Sequence, residues 1–199
     1  MKEAAVFLAN GFEEIEALSP VDYLRRADVN VITVAVPDKK GDNNTSNAKI
    51  VTSSHKVPVI ADMTIKEYLS SGASDKIDCV ICPGGSVGAD NLSECKELIN
   101  HLENMWDMGK TVAAICASPA VVLGKTKILS GKTWTCYPGM ESLAGNNYPE
   151  KYTNKVFVTD GNLVTARGPG ASEEFAMELV RILAGKETAE RIHKGAQQR

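Results

Sequence analysis

A single cysteine stands where an apolar strand turns into a helix with no spacer between them. In the stretch VAAICASPAVVLG, residues 112–124, Cys116 ends the predicted strand, and Ser118 and Pro119 open the predicted helix as N-cap and first-turn proline. A helix N-terminus stabilises a thiolate, so this position predicts a lowered pKa for the Cys116 thiol. An abrupt strand-to-helix turn also lifts its junction residue out on a strained elbow between small neighbours. A buried structural cysteine is the alternative, and this stretch alone does not decide between the two.

Two further loops carry groups that suit the same chemistry. CPGGSVGADNL follows another apolar strand, and Gly84 and Gly85 leave backbone N–H groups free to point at a ligand oxygen, although a tight turn uses glycines equally well. ANGFEEIEALSPVDYLRRA follows the first strand and opens its helix with Glu13, Glu14 and Glu16. Acids in a first turn are normally partners of the helix dipole. All three loops leave the carboxyl edge of the predicted sheet, where ligands bind, so one of these carboxylates can face the thiol.

The elements that position these loops alternate along the chain. Strands are predicted over residues 4–9, 29–36, 79–82 and 111–116, and helices over residues 13–27 and 89–108. Such alternation predicts an α/β protein with a mostly parallel sheet and helices on both faces. Asp160 and Gly161 stand between two alternating runs and predict a hairpin within residues 155–167. A last helix is predicted over residues 172–184, with a weaker one after it, and residues 1–199 are predicted to form a single domain.

Composition narrows the classes of function. The 199 residues carry a formal net charge of −3, which gives no basic field for nucleic acid or an anionic membrane. The odd number of cysteines, five in a chain of this size, argues against a disulfide scaffold. Glu13 and Glu14 close an apolar start that is too short for a signal peptide. No later stretch is long and apolar enough to span a bilayer. We therefore expect a reduced, cytoplasmic protein with neither nucleic-acid nor membrane partners.

The other cysteines offer weaker chemistry. Cys79 and Cys82 form a CVIC motif, but residues three apart in a strand point to opposite faces and do not readily pair or share a metal. Cys95 is predicted on a polar helix surface, and Cys136 is the only other thiol predicted near the site. No pattern of metal ligands emerges, so the sequence predicts neither a metal site nor a cofactor.

Four motifs in order give the chain a family resemblance. GFEEIEALSPVDYLRRA, CPGG, AAICASPAVVL and ARGPGASEEFAMELV together resemble the ThiJ/PfpI superfamily, and within it the branch of the parkinsonism-associated deglycase. The resemblance extends over residues 2–189. It implies a flavodoxin-like three-layer sandwich, usually assembled as a homodimer, with an oxidation-sensitive nucleophilic cysteine.

The resemblance also assigns roles to residues of this chain. It implies that Cys116 is the nucleophile and Glu16 the buried acid, protonated and hydrogen-bonded to the thiol. The amides beside the cysteine correspond to Gly85 and Ala117, with Gly84 in the same loop. The resemblance places Arg167 and Pro169 of the RGPG segment near the pocket, together with Tyr137, where many relatives carry histidine. It places His55 at the dimer contact, where an interface arginine is common.

Three hypotheses of function follow. The first is a cofactor-free enzyme that acts on small reactive carbonyls, as a glutathione-independent glyoxalase converting methylglyoxal to lactate or as a protein deglycase. The second is a redox sensor or oxidative-stress chaperone whose Cys116 is oxidised to sulfinate. The third, a cysteine peptidase, is disfavoured because that branch of the superfamily has a histidine immediately after the cysteine, where this chain has Ala117.

Overall fold

A seven-stranded sheet forms the centre of the protein. The computed structural model describes residues 1–38, 48–147 and 151–197. The sheet strands are β1 Glu3–Leu8, β2 Asn30–Ala35, β5 Met63–Thr64, β6 Cys79–Cys82, β7 Thr111–Ile115, β8 Phe157–Asp160 and β9 Leu163–Ala166. Their spatial order is β5-β2-β1-β6-β7-β9-β8, and every pairing is parallel except that of β8 with β9. The predicted mostly parallel α/β sheet is confirmed.

Helices surround this sheet on both faces. They are α1 Glu14–Arg26, α2 Ile65–Ser70, α3 Ser86–Glu94, α4 Lys96–Asp107, α5 Ser118–Val121, α6 Ser172–Ala184 and α7 Lys186–Gly195. α1 packs against α6, which also packs against α7, while α3 contacts α4 and α5. This is the predicted flavodoxin-like sandwich. No helix in the described ranges is long and apolar enough to cross a membrane.

The strands at the centre are buried on both faces, which explains their continuous apolar sequences. Every residue of β6, β7 and β9 is buried, as is β1 beyond Glu3. Strands covered by helices on both sides lose the alternation of polar and apolar residues that marks a half-exposed strand. These strands therefore form one apolar core between the two layers of helices.

Four parallel strands end together and carry the loops that the sequence singles out. The register pairs Cys82 of β6 with Ala114 of β7, and Ile115 of β7 with Ala166 of β9. The loops after β1, β6, β7 and β9 therefore leave the same edge of the sheet. They contain Glu16 and its neighbours, the Gly84–Gly85 pair, Cys116, and the RGPG segment.

A small hairpin lies beside the loop that precedes α1. Strands β3 Ile50–Thr52 and β4 Pro58–Ile60 pair antiparallel as a separate two-stranded sheet. Gly11 donates its backbone N–H to the Thr52 carbonyl at 2.8 Å, and Ser54 donates its own to the Phe12 carbonyl at 2.7 Å. These two bonds hold the turn of the hairpin against the start of α1.

Some predicted boundaries are wrong. The helix predicted over residues 89–108 is two helices, because Cys95 has the extended backbone of φ −80° and ψ 100° that ends α3 and starts α4. Cys95 is consequently buried at this junction and does not lie on a polar helix surface. The predicted hairpin near residue 160 is confirmed, but Asp160 belongs to β8 and the turn is formed by Gly161 and Asn162.

Candidate active site

Cys116 occupies a sharp turn between β7 and α5. The strand ends one residue earlier than predicted, at Ile115, and Cys116 takes a φ of 63°, a left-handed conformation that is rare outside glycine. Its backbone N–H donates to the Ala166 carbonyl at 2.9 Å, and its carbonyl accepts from the Tyr137 N–H at 2.8 Å. Such a conformation costs on the order of 1–3 kcal/mol and is maintained by the bonds on either side. The predicted elbow is confirmed.

Ser118 supports the elbow differently from the prediction. It is the first residue of α5 and not its N-cap, which is Ala117, and no side chain caps this four-residue helix. The Ser118 hydroxyl instead donates to the Pro83 carbonyl at 2.6 Å, in a fully buried position. This bond ties the start of α5 to the loop that contains Gly84 and Gly85.

Of Glu13, Glu14 and Glu16 at the start of α1, Glu16 is the one that faces the thiol. Its side chain is fully buried, and Oε2 accepts the Gly84 backbone N–H at 2.8 Å. The carboxyl also interacts with the Cys116 thiol, while Oε1 has no protein hydrogen-bond partner among the described residues. Burial raises the pKa of Glu16 to about 7, against the opposing effect of the Gly84 hydrogen bond.

Gly84 is the spacer that lets the acid and the thiol approach each other. A Cβ atom on Gly84 would lie 2.5 Å from Cβ of Cys116 and 2.6 Å from Oε2 of Glu16. Its carbonyl also accepts the Glu13 N–H at 3.0 Å, so this one residue is bonded through both backbone groups to the start of α1. A side chain at this position would push the two functional groups apart.

Two backbone amides lie close to the sulfur. The N–H groups of Gly85 and Ala117 interact with the Cys116 thiol and act to lower its pKa. Gly85 has a φ of 86°, and a Cβ atom there would collide with the Gly11 carbonyl oxygen. The close approach of two loops, together with this backbone conformation, therefore requires glycine. These amides are preorganised donors for negative charge on sulfur or on an atom bound to it.

The predicted lowering of the Cys116 pKa is wrong for the thiol next to an ionised Glu16. Burial and the neighbouring carboxylate raise the pKa of Cys116, and the two amides only partly oppose them. The short, uncapped α5 supplies little of the helix dipole on which the prediction depended. The two groups instead titrate as a pair. Glu16 loses the first proton, the raised pKa of Cys116 keeps the remaining one on sulfur, and transfer of that proton to the carboxylate is the route to a thiolate.

The remaining residues of the predicted pocket line an adjacent depression. Tyr137, Arg167 and Pro169 surround an open volume of about 560 Å³, and Tyr137 is 48% exposed. Neither Cys116 nor Glu16 lines this depression. The hydrogen bond between the Tyr137 N–H and the Cys116 carbonyl is the link between the two parts. The predicted site residues thus form two clusters. One contains Cys116, Glu16 and the glycine loop, and the other contains Tyr137, Arg167 and Pro169.

The other thiols are buried and free. Cys79 and Cys82 lie within β6 and form no disulfide, and burial raises the pKa of each. Cys136 is fully buried next to Tyr137, and burial raises its pKa to about 12. None of these three has the arrangement of acid and amides that surrounds Cys116.

Sequence reasoning missed a group of polar side chains beside this site. Glu13 and Glu14 lie against Ser54 and His55 in the turn of the β3–β4 hairpin. The adjacent acids at the start of α1 were the available signal. Their partners come from a distant hairpin, which no local pattern connects to them.

Comparison with known proteins gives consistent matches. The model of the DJ-1/PfpI family matches residues 2–182. Protein dj-1beta of Drosophila melanogaster is 39% identical over 194 residues, 98% of this chain and 96% of that protein. The glutathione-independent glyoxalase DJ-1 of Schizosaccharomyces pombe is 28% identical over 98% of this chain and 97% of its own length. A solved structure described as Toxoplasma gondii DJ-1, oxidized, superposes with a TM-score of 0.85 at 32% identity, covering 99% of this chain and 98% of that one.

Proposed function

The chain belongs to the DJ-1/PfpI family, and we propose that it is a cysteine-dependent enzyme acting on small 2-oxoaldehydes such as methylglyoxal. One observation carries this proposal: the buried carboxyl of Glu16 lies against the thiol of Cys116, with two backbone amides close to the sulfur. A nucleophile, a proton carrier and donors for an oxyanion are what the reaction needs. The S. pombe relative that is named a glutathione-independent glyoxalase supports the same chemistry.

The first step forms a covalent adduct. The Cys116 thiolate attacks the aldehyde carbon, and the electron pair of the carbonyl bond moves to oxygen. The Gly85 and Ala117 N–H groups, already close to the sulfur, are the nearest donors to this oxyanion. One such donor contributes roughly 3 kcal/mol to the transition state. Protonation of the oxygen then gives a hemithioacetal.

Glu16 carries the proton in the steps that follow. Its carboxylate removes the proton from the former aldehyde carbon to give an enediolate, and the hydroxyl proton on that carbon moves to the neighbouring oxygen. Glu16 then returns the first proton to the neighbouring carbon. The product is a 2-hydroxy thioester of Cys116. Water then hydrolyses the thioester to a 2-hydroxy acid, lactate when the substrate is methylglyoxal, and the thiol is regenerated. Oxidation of one carbon balances reduction of the other, so the sequence needs neither glutathione nor an external redox partner.

The size and polarity of the site favour a small substrate. Cys116 is only 9% exposed, so a bulky group cannot reach the sulfur without rearrangement of the loops. The depression lined by Tyr137, Arg167 and Pro169 is linked to the elbow by the bond from the Tyr137 N–H to the Cys116 carbonyl, and it offers a cationic side chain for a polar or anionic end of a substrate. A deglycase activity on early glycated adducts uses the same thiol chemistry and belongs to this proposal.

The deciding experiment is steady-state turnover of methylglyoxal by the purified protein, with lactate as the measured product and a chelator present. Cys116→Ser should reduce turnover by roughly 10³-fold or more, as expected for loss of a covalent nucleophile. Cys95→Ser changes a thiol at the α3–α4 junction and should leave turnover intact. Absence of turnover in the parent protein, or equal turnover in Cys116→Ser, would overturn the proposal.

Redox sensing is the second candidate function. It is favoured by the similar T. gondii structure that is described as oxidized and by the Glu16 carboxyl, which can donate a hydrogen bond to an oxidised sulfur. Under mild hydrogen peroxide, mass spectrometry should find Cys116 converted to sulfinate before any internal disulfide forms. Detection of a Cys79–Cys82 disulfide first would contradict this expectation. Steady-state turnover separates the enzyme from the sensor, because a sensor thiol is modified without releasing product.

A further inference from the structure

A second group of ligating atoms lies beside the catalytic pair without belonging to it. Glu13, Glu14 and His55 each present one ligand atom within 4.8 Å of the other two, and no other such group of three occurs in the described part of the chain. Nδ1 of His55 lies 3.1 Å from Oε1 of Glu14 and 3.7 Å from Oε1 of Glu13. We propose that these three side chains bind a divalent transition-metal ion, with Zn²⁺ as the best match.

The spacing of the ligand atoms suits zinc. Zn–N and Zn–O bonds of about 2.0–2.1 Å in a tetrahedral site place neighbouring ligand atoms roughly 3.3 Å apart. The two distances from His55 Nδ1 to the glutamate oxygens lie on either side of that value. Small side-chain rotations of Glu13 and Glu14 would complete the geometry. Three protein ligands leave a fourth position for water.

Ser54 holds the carboxylates in the required orientation. Its hydroxyl lies 3.0 Å from Oε2 of Glu13, 3.2 Å from Oε2 of Glu14 and 3.1 Å from Nδ1 of His55. A metal on Nδ1 would replace the contact with His55 and leave the hydroxyl to donate to an outer carboxylate oxygen. The Oε1 atoms of both residues remain directed at His55. A hydrogen-bond partner on the outer oxygen of a ligating carboxylate is a regular feature of metal sites. The bond from the Ser54 N–H to the Phe12 carbonyl fixes the hairpin turn that brings His55 into place.

The negative charge of the two carboxylates also favours the binding of a cation. The side chains of Glu13 and Glu14 are only 14% and 16% exposed, and two carboxylates at such close range repel each other. In the ranges that the structure describes, His55 is the only ion-pair partner of either acid. Two carboxylates and a neutral imidazole balance the charge of Zn²⁺. An imidazole nitrogen among the ligands favours Zn²⁺ over Mg²⁺ and Ca²⁺, which prefer oxygen alone.

The test is titration of the metal-free protein with Zn²⁺ by isothermal calorimetry, carried out on the parent chain and in a Cys116→Ser background. The background variant removes the one nearby thiol that would compete for zinc. We expect one Zn²⁺ per chain at this site in both proteins. His55→Ala should weaken binding by at least about 10-fold, and the double variant Glu13→Gln with Glu14→Gln should do the same. His193→Ala, an exposed histidine of α7 outside the group, is the matched control and should bind like its parent.

Co²⁺ provides a second readout, since its visible absorption reports the ligand set. Nitrogen and oxygen ligands give weak ligand-field bands without the strong near-ultraviolet thiolate band that Cys116 would add. The proposal is overturned if Zn²⁺ binds His55→Ala as tightly as His193→Ala, if binding disappears in Cys116→Ser, or if no Zn²⁺ binds at millimolar concentration. Circular dichroism of each variant separates loss of ligands from loss of fold.

Discussion

At the scale of single residues, the proposed chemistry depends on the coupled protonation of Glu16 and Cys116. Burial raises the pKa of the acid, while burial and the acid's charge raise that of the thiol. Glu16, with a pKa near 7, can serve as a base at neutral pH, whereas the thiol with its raised pKa stays protonated unless the acid takes its proton. The pair loses one proton near pH 7, from Glu16, and a thiolate beside a protonated carboxyl is then reached by proton transfer within the pair.

Alkylation of Cys116 by iodoacetamide should report this coupled titration. In the parent protein, the rate should rise with pH through an apparent pKa near 7, the value to which burial raises Glu16. In Glu16→Gln the thiol must lose its proton to solvent, and the rising limb should move to higher pH by at least about one unit. Turnover of methylglyoxal should fall by at least about 10²-fold, the low end expected for loss of a general acid–base.

Glu14→Gln is the control for this experiment, because its side chain lies on α1 but does not contact the thiol. It should shift the alkylation profile far less than Glu16→Gln does. An unchanged profile and unchanged turnover in Glu16→Gln would show that Glu16 is not the proton carrier. The redox-sensor function would then gain support.

The same buried acid should make the protein less stable as the pH rises. A carboxyl whose pKa is raised on folding stabilises the native state fully below its ordinary pKa of 4.5, and this contribution is lost as pH rises to about 7. The loss amounts to roughly 3 kcal/mol. Glu16→Gln removes the titrating group, so its free energy of unfolding relative to the parent should increase between pH 4.5 and pH 8. Denaturant unfolding at both pH values measures the effect, and identical pH trends in the two proteins would contradict it.

At the scale of the elements, the site is formed where the loops after β6 and β7 meet the start of α1. Gly84 lies at the centre of this junction, because its N–H binds Glu16, its carbonyl binds Glu13, and its missing side chain leaves room for Cys116. The elements therefore determine how closely acid and thiol approach. A change in loop spacing should act on the proton pair without altering either functional group.

Gly84→Ala tests this role of the loop. The added methyl group would lie 2.5 Å from Cβ of Cys116, and the structure must shift to accept it. We expect a loss of about 1–3 kcal/mol in stability, typical of overpacking, and a fall in turnover of about 10²-fold as the acid and thiol separate. Thermal unfolding and methylglyoxal kinetics measure the two effects. Gly195→Ala has open space around the new methyl group and should change neither; a fully active Gly84→Ala would refute the spacer role.

The elements also show what could be inferred from sequence and what could not. The alternation of strands and helices and the position of the elbow follow from local patterns of apolar and helix-starting residues. The spatial order of the strands does not, because it depends on pairings between distant segments. The break at Cys95 was missed because the apolar spacing of α3 and α4 continues across it. The thiol pKa was predicted in the wrong direction because its main cause is burial next to Glu16, a contact between residues far apart in the chain. The association of His55 with Glu13 and Glu14 is invisible to local patterns for the same reason.

At the scale of the whole molecule, α1 and the β3–β4 hairpin both leave apolar side chains exposed. Ile15 and Leu18 of α1 are 53% and 37% exposed, and Ile50, Val57 and Ile60 of the hairpin region are 44%, 44% and 75% exposed. Bonds between the two elements hold these side chains on neighbouring surfaces. We propose that a second copy of the chain covers them, in agreement with the homodimer that the family resemblance implies.

Light scattering coupled to size-exclusion chromatography tests the dimer. The parent protein should have about twice the mass of the 21.4 kDa chain. Ile60→Asp places a charge on the most exposed of these apolar side chains and should shift the equilibrium toward the monomer. Met108→Asp introduces the same charge at the end of α4, outside this surface, and should leave the mass unchanged. A monomeric parent protein, or a dimeric Ile60→Asp variant, would exclude this interface.

The bond between the Cys116 N–H and the Ala166 carbonyl has a consequence for folding during synthesis on the ribosome. A ribosome releases Cys116 about 50 residues before the strand that must hold its backbone, a delay of several seconds at roughly 5–20 residues per second. During that time a nascent chain carries an ordinary thiol, with no elbow to hold it and β9 still absent. A chain that stops before β9 can therefore contain both residues of the acid–thiol pair and still lack the bond that sets their geometry. The proposed coupling of Glu16 and Cys116 is expected only after β9 has been synthesised and has joined the sheet.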